Sequence, residues 1–278
     1  MAFSQLIVLG ALYALAEVLP IGAAAHFAWL DGWVTLPSVG SSAGAHGFGL
    51  GLHVGLMAAA AMYFWRDFAD MTQGVVRAAK GKRDPGARLA FQLIVATVPV
   101  VGAVVGLRYV REAPWSSAAM TAWTALAVSM LVLLFDRACM TVKRIEHAGY
   151  GDAILLGTAQ MFAIIPGVGR IAILVAMARL LGYERREAAR FAFLISVPAL
   201  FAASAWNVYG LVQLGGPFPT NMTVLGVAVA LGVALPVLAI LMNWLRRATF
   251  TPFAVYRLVM AVNLVAFAYG WLNVRAWL

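Results

Sequence analysis

Charge is scarce in this sequence: Asp, Glu, Lys and Arg make up 11% of its 278 residues, where soluble domains carry about 25%. A water-soluble fold of this length needs a more polar surface, so the chain is expected in lipid. Cysteine is scarcer still. With Cys139 alone there is no intramolecular disulfide, and no second thiol or Cys/His cluster offers a soft metal centre, so redox chemistry is not expected. Acidic residues are outnumbered, 11 against 20 basic ones, for a formal net charge of +9. Such an excess can signal nucleic acid, but here Lys and Arg sit in short loops between apolar runs rather than along one face. Anionic lipid and membrane orientation explain them better, and no nucleic-acid partner is expected. The first twenty residues lack a basic n-region and carry Glu17 inside the apolar run. They are therefore expected to stay in the mature protein rather than leave as a signal peptide.

What is there is apolar length. Hydrophobic residues make up 63% of the chain, and several stretches reach about 17 to 23 residues, enough to cross a hydrocarbon core as helices. The reading is one all-α membrane domain over 1–278, with segments near 3–30, 50–65, 89–107, 118–136, 152–182, 191–208, 222–244 and 254–273. The first is broken at Pro20 and Gly22. The fifth, too long for one span, is broken at Pro166 and Gly167, since proline removes a backbone donor and glycine frees the backbone. Each is expected to be a helix, a break and another helix.

Six basic residues between 66 and 88 place that loop in the cytoplasm under the positive-inside rule. If 152–182 crossed only once, Arg179, Arg185, Arg186 and Arg190 would fall on the opposite side; a re-entrant hairpin returns them. Fifteen basic residues then lie inside, with Arg108, Arg111 and Arg275 outside. The expected architecture is about six transmembrane helices plus two re-entrant helical hairpins, in inverted-topology repeats of about 1–136 and 152–273. Gly10-Ala-Leu-Tyr13 with Pro20 echoes Gly157-Thr-Ala-Gln160 with Pro166. Paired broken segments at matching places point to a binding site near the membrane midplane.

Glu17 lies in an apolar run, where a carboxylate is costly unless it pairs, binds a cation or lines a wet cavity. Its plain reading is a packing partner for a nearby arginine or histidine. Arg170 follows the Pro-Gly break by three residues, putting a permanent fork of donors beside a helix N-terminus that already attracts anions. Phosphate is the natural guest, and a structural ion pair with Glu17 is compatible with that role. His26, nine residues past Glu17, reads as a proton donor, a nucleophile or an interfacial histidine. His53 reads as lining the same cavity or as a hydrogen-bonded core histidine. His46 and His147 read as loop residues, and Asp31, Asp67, Asp70 and Glu146 as solvated charges at segment ends. Trp65, Trp115 and Trp271 suit an interfacial belt.

Over nearly its whole length the chain resembles the undecaprenyl pyrophosphate phosphatase family, also called the bacitracin-resistance (BacA, UppP) family. The resemblance is carried by Glu17-Val-Leu-Pro20 leading to His26, by His53-Val-Gly55 leading to Phe64-Trp65-Arg66, and by Pro166-Gly167-Val168-Gly169-Arg170. It continues in Glu187-Ala-Ala-Arg190-Phe191 with Pro198 and in Phe250-Thr-Pro252-Phe253-Ala-Val-Tyr256-Arg257. It implies six spanning helices plus two re-entrant hairpins in inverted repeats, in the bacterial inner membrane, with a site open to the periplasm. It also implies a substrate, undecaprenyl diphosphate, hydrolysed to the monophosphate so that the carrier lipid is recycled for cell-wall polymers. Glu17, His26 and Arg170 are the expected catalytic residues, and Gln160, Gly167, Gly169 and His53 the expected head-group contacts beside Arg170. A divalent cation, magnesium or calcium, would be held by Glu17. Whether the chain forms a homodimer stays open.

This chain departs from the family pattern. A glutamate four residues before Glu17 is replaced by Tyr13, and a serine-rich run by Gly22-Ala23-Ala24-Ala25. The serines flanking the arginine and the threonine beyond it are Gly169, Ile171 and Leu174, and an acidic residue near position 49 is Gly49. These changes remove candidate nucleophiles, one cation ligand and several phosphate donors, and a single oriented transition-state donor can be worth about a hundredfold to a thousandfold in rate. Three readings therefore stand side by side: a lipid diphosphate phosphatase, a relative that binds or flips a polyprenyl phosphate without hydrolysis, and a small-solute transporter or structural subunit on the same scaffold.

Overall fold

The structure, a computed structural model, describes residues 3–33, 42–107, 117–139 and 142–271. Arg108, Arg111, Trp115 and Arg275 lie outside them. Within these residues the chain forms eleven α-helices: α1 Phe3–Val18, α2 Ala23–Trp33, α3 Ser42–Tyr63, α4 Trp65–Ala79, α5 Pro85–Leu107, α6 Ala118–Ala138, α7 Tyr150–Met161, α8 Arg170–Leu180, α9 Arg185–Leu214, α10 Thr220–Trp244 and α11 Thr251–Ala268. Six are long and apolar enough to cross a membrane by length and composition, namely α3, α5, α6, α9, α10 and α11. The chain is thus an all-α, multi-pass membrane protein. The remaining apolar segments are the broken pairs α1/α2 and α7/α8. Internal prolines at 99, 198 and 236 leave α5, α9 and α10 continuous, as membrane helices tolerate when neighbours satisfy the freed carbonyls.

Two elements differ from the sequence reading. Helix α3 begins at Ser42 rather than near 50, and so includes His46. Its glycines look like a loop signal in isolation, but Gly47, Gly51 and Gly55 recur every fourth residue and form one bare stripe. A Cβ on Gly51 would lie 2.2 Å from the Thr223 carbonyl oxygen, and one on Gly55 2.7 Å from that of Val227. Small residues at this spacing let α3 and α10 approach backbone to backbone. The second difference is α4, which occupies part of the expected basic loop. Phe64, Phe68 and Met71 recur at helical spacing and pack into the main core cluster, while Arg66, Thr72, Gln73 and Arg77 stay exposed, the pattern of an amphipathic helix.

The packing is paired. Helix α1 packs on α10 as α7 packs on α5, α2 on α11 as α8 on α6, and α3 meets α9 while α6 meets α11. Gly10 and Gly157 both stand at close approaches: a Cβ on Gly10 would meet the Phe48 side chain of α3 at 2.9 Å and that of Val229 of α10 at 3.2 Å, and one on Gly157 the Ala96 carbonyl oxygen of α5 at 2.2 Å.

At the far end of α8 a buried ionic knot fastens four helices. Asp136 of α6, 1% exposed, lies 3.2 Å from Arg179 of α8 and 2.7 Å from Arg185 of α9, and accepts from the Phe250 amide beside α11 at 3.0 Å. Nearby, Asp67 of α4 pairs with Arg190 of α9, which also meets Glu187 at 3.2 Å and Glu146 at 3.6 Å. Asp67 is therefore an inter-element tie rather than a solvated charge, while Glu146 stays 61% exposed.

Candidate functional site

The two breaks meet. After α1 ends, Pro20 supplies no backbone donor and Gly22 turns the chain at φ +80°, so that α2 restarts at Ala23. After α7, a single 3₁₀ turn over Phe162–Ile164 runs into Pro166, Gly167 (φ +90°) and Gly169 (φ +70°), and α8 starts at Arg170. The positive φ at Gly22 and Gly169 belongs to a region that side-chain-bearing residues enter only at a cost. Contact demands glycine at 169 as well: an added Cβ would lie 2.8 Å from Nη1 of Arg257 and 3.2 Å from the Gly22 Cα.

Two side chains from α11 and α6 hold the second break. Arg257, 1% exposed, donates to the carbonyls of Gly167 and of Val168, the latter at 2.5 Å, and to that of Ala125 at 3.4 Å. Thr124 Oγ1 donates to the Pro166 carbonyl at 2.5 Å. Carbonyls that a helix would satisfy internally are satisfied here by side chains, which keeps the loop in place.

Glu17, in the last turn of α1, and Arg170, in the first turn of α8, are thereby brought together. Arg170 Nη2 donates to Glu17 Oε2 at 2.8 Å, with both side chains 15% exposed. The pair borders a cavity of about 240 Å³ whose wall is drawn from α1, the start of α2, α5, the end of α7, the second break and α9. Its polar side chains are Tyr13, Glu17, Gln160 and Arg170; among the described residues no serine or threonine lines it. Gln160 is fully buried, and both its amide atoms lack a protein partner, as does Nε of Arg170. Gly169 gives α8 no side-chain cap, so the first amides of α8 are not capped by it. Unsatisfied buried donors beside a helix N-terminus are a site for an anion.

Of the residues expected at the site, Glu17, Gln160, Gly167, Gly169 and Arg170 line this cavity and the two histidines do not. His26 Nδ1–H donates to the Gly22 carbonyl at 2.7 Å, and Nε2 accepts from the Tyr256 hydroxyl at 2.9 Å; the ring, 5% exposed, stacks on Tyr256. Both of its nitrogens are thus engaged behind the wall. His53 sits behind Tyr13, ring centroids 6.4 Å apart, with Nδ1 3.4 Å from the Asn207 amide nitrogen. That asparagine also lies 3.3 Å, through Oδ1, from Nδ1 of His46, so His46 is a helix-packing residue of α3 and not a loop residue. Sequence reasoning missed Asn207, Thr124 and the bracing role of Arg257. Only Arg257 carried a signal, as an arginine inside an apolar span.

A resident divalent cation fits this donor set poorly. Glu17 contributes the wall's one carboxylate and is already engaged by Arg170, and the described residues contain no group of three His, Cys, Asp or Glu arranged to hold a metal.

Comparison with known proteins agrees in length as well as in motif. The family profile "Bacitracin resistance protein BacA" matches residues 6–263. An "Undecaprenyl-diphosphatase 1" of Rhodospirillum rubrum is 39% identical over 276 residues, covering 97% of this chain and 96% of the relative. An "Undecaprenyl-diphosphatase" of Roseobacter denitrificans is 34% identical, covering 97% of this chain and 100% of the relative. One of Desulforudis audaxviator is also 34% identical, over 94% and 96%. With its two broken helices closing on one ion pair and its match extending across nearly the entire length, the chain belongs to the bacitracin resistance protein BacA family.

Proposed function

We propose that the chain binds a polyprenyl diphosphate, tail in the lipid and phosphate head in the cavity, and hydrolyses it to the monophosphate. The observation that carries this reading is the Glu17–Arg170 pair, from opposite halves of the chain, bordering a cavity with unpartnered buried donors. The names of the relatives supply the lipid. On binding, a terminal phosphate oxygen replaces the Glu17 carboxylate at the Arg170 fork, since guanidinium and phosphate match in charge and geometry. Gln160 and the α8 amides add donors. The released carboxylate then takes a proton from a water molecule as its oxygen attacks the terminal phosphorus. The P–O–P bond breaks, the polyprenyl monophosphate leaves and inorganic phosphate is freed. The charge distribution along the sequence supports the bacterial inner membrane and a cavity opening to the periplasm, and the paired packing supports two inverted repeats.

One observation favours a second reading, binding without turnover: the cavity wall carries no serine or threonine hydroxyl among the described residues. A single assay separates the two. Purified protein given undecaprenyl diphosphate should release inorganic phosphate, and an Arg170→Ala variant should not. Release no faster than the variant's, together with saturable lipid binding, selects the second reading; absence of binding removes both.

A further inference from the structure

We infer that the cavity holds its phosphate directly on guanidinium and amide donors, with no divalent cation bridging protein and ligand. The inference rests on the reading that a polyprenyl phosphate head occupies this cavity, and three observations carry it.

The first is the charge already present. Glu17 and Arg170 are the charged side chains in the wall, and the guanidinium of Arg257 lies behind Gly22 and Gly169, where an added Cβ would come within 3.3 and 2.8 Å of its Nη1. Two permanent cations thus face one carboxylate. A further dication would have to sit beside two guanidinium groups in surroundings of low dielectric, where like charges repel strongly. An entering phosphate, in contrast, finds the excess positive charge in place.

The second is the oxygen supply. Hard divalent cations take about six oxygen ligands, and magnesium commonly relies on one or two carboxylates plus phosphate oxygens and water. The wall's side-chain oxygens are those of Glu17, Gln160 and Tyr13. The one carboxylate among them is bound to Arg170 at 2.8 Å.

The third is what lacks a partner. Gln160 with its amide nitrogen and Arg170 with Nε leave buried donors unused in the wall and Arg257 Nη1 leaves one behind it, against a single unused acceptor, Gln160 Oε1. Such donors are satisfied by an acceptor, which phosphate is and a metal ion is not.

Tyr13 decides the sign. It stands one helical turn before Glu17 and lines the same cavity, and residues four apart on a helix have Cβ atoms about 5–6 Å apart. A carboxylate at position 13 would therefore pair with Glu17 on one face, neutralise the excess positive charge and create a two-carboxylate cation site.

The test is binding of undecaprenyl phosphate to the full-length protein in detergent micelles, once after exhaustive treatment with EDTA and once with added magnesium. Wild-type affinity should differ by less than about twofold between the two conditions, and Tyr13→Glu should bind at least about tenfold more tightly with magnesium than without. Wild-type binding that collapses in EDTA and returns with magnesium overturns the inference while leaving the lipid reading intact. No binding in either condition overturns the lipid reading itself. The wild-type arm decides the matter even if the Tyr13→Glu protein does not fold.

Discussion

Asp136 and Glu17 are both carboxylates held by arginine, and their surroundings make them different objects. Asp136 is completely enclosed: Arg179 and Arg185 hold one oxygen, the Phe250 amide donates to the other, and the Asp136 backbone carbonyl accepts from both arginines at 3.0 Å. Arg179 Nε makes no hydrogen bond but lies 3.2 Å from the Asp136 carboxylate, and the cluster ties α6, α8, α9 and the start of α11 into one block. Glu17 has one arginine, at 2.8 Å, on the edge of a cavity where the Gln160 amide and Arg170 Nε lack protein partners. An ion cluster enclosed by its own counter-charges serves cohesion, and one bordering a cavity with unpartnered donors serves binding, because a donor beside open space is costly until a ligand supplies an acceptor. The comparison also explains why α8 has a defined position: its C-terminal end is anchored by Arg179, so its N-terminal residue Arg170 is presented at a fixed place.

Breaking the enclosed cluster has the largest expected effect. Asp136→Ala leaves Arg179, 1% exposed, buried without its counter-charge, and should lower stability by about 3–5 kcal/mol, read as a fall in the unfolding midpoint of the detergent-solubilised protein. Next comes the turn that presents Arg170. Gly169→Ala places a Cβ at φ +70° and 2.8 Å from Arg257, and should cost about 1–3 kcal/mol and weaken lipid binding alongside stability. Arg170→Ala sharpens the contrast, since its midpoint should stay close to wild type while affinity for undecaprenyl phosphate falls by at least about tenfold, or 1.4 kcal/mol. If that variant unfolds as readily as Asp136→Ala, the two clusters are alike and the distinction fails. Thr124→Val, which removes the donor to the Pro166 carbonyl, should cost about 1 kcal/mol.

The smallest effect belongs to an exposed pair at the α4–α5 turn. A hydrogen bond from Arg77 at 3.0 Å, aided by the amides of Gly86 and Ala87, holds the Asp84 carboxyl below the usual aspartate range. Because its folded pKa is depressed, the contribution is present above the unfolded pKa and disappears as pH falls through the folded one. Asp84→Asn should therefore narrow the stability difference between neutral and acidic pH, by an amount that salt reduces.

Much of the architecture was legible in the order of residues. Apolar runs of spanning length marked the helices, Pro20 with Gly22 and Pro166 with Gly167 marked the breaks, and a lone acid and a lone arginine in apolar surroundings marked each other. These signals are local: backbone donors, φ preference and the cost of charge in lipid depend on the residue itself. Helix α3 starts at Ser42, eight residues before the boundary near 50 that the apolar pattern marks, and the role of its glycine stripe lies in α10, against which Gly51 and Gly55 pack. The surroundings of the histidines are set in the same way. Tyr256 of α11 bonds Nε2 of His26 and Asn207 of α9 approaches Nδ1 of His53, and no spacing along α2 or α3 announces those partners.

By itself, then, the sequence determined that the chain crosses the membrane as helices, where two of them break, and that an acid and an arginine would sit beside those breaks, because each follows from composition and short-range backbone chemistry. Tertiary structure decided that Glu17 borders a cavity while Asp136 is sealed, that Arg257 braces the second break, and that the imidazoles stay behind the wall. Burial and partner number are properties of contacts between segments distant in the chain, and they exist only once α1, α8, α9 and α11 are packed together.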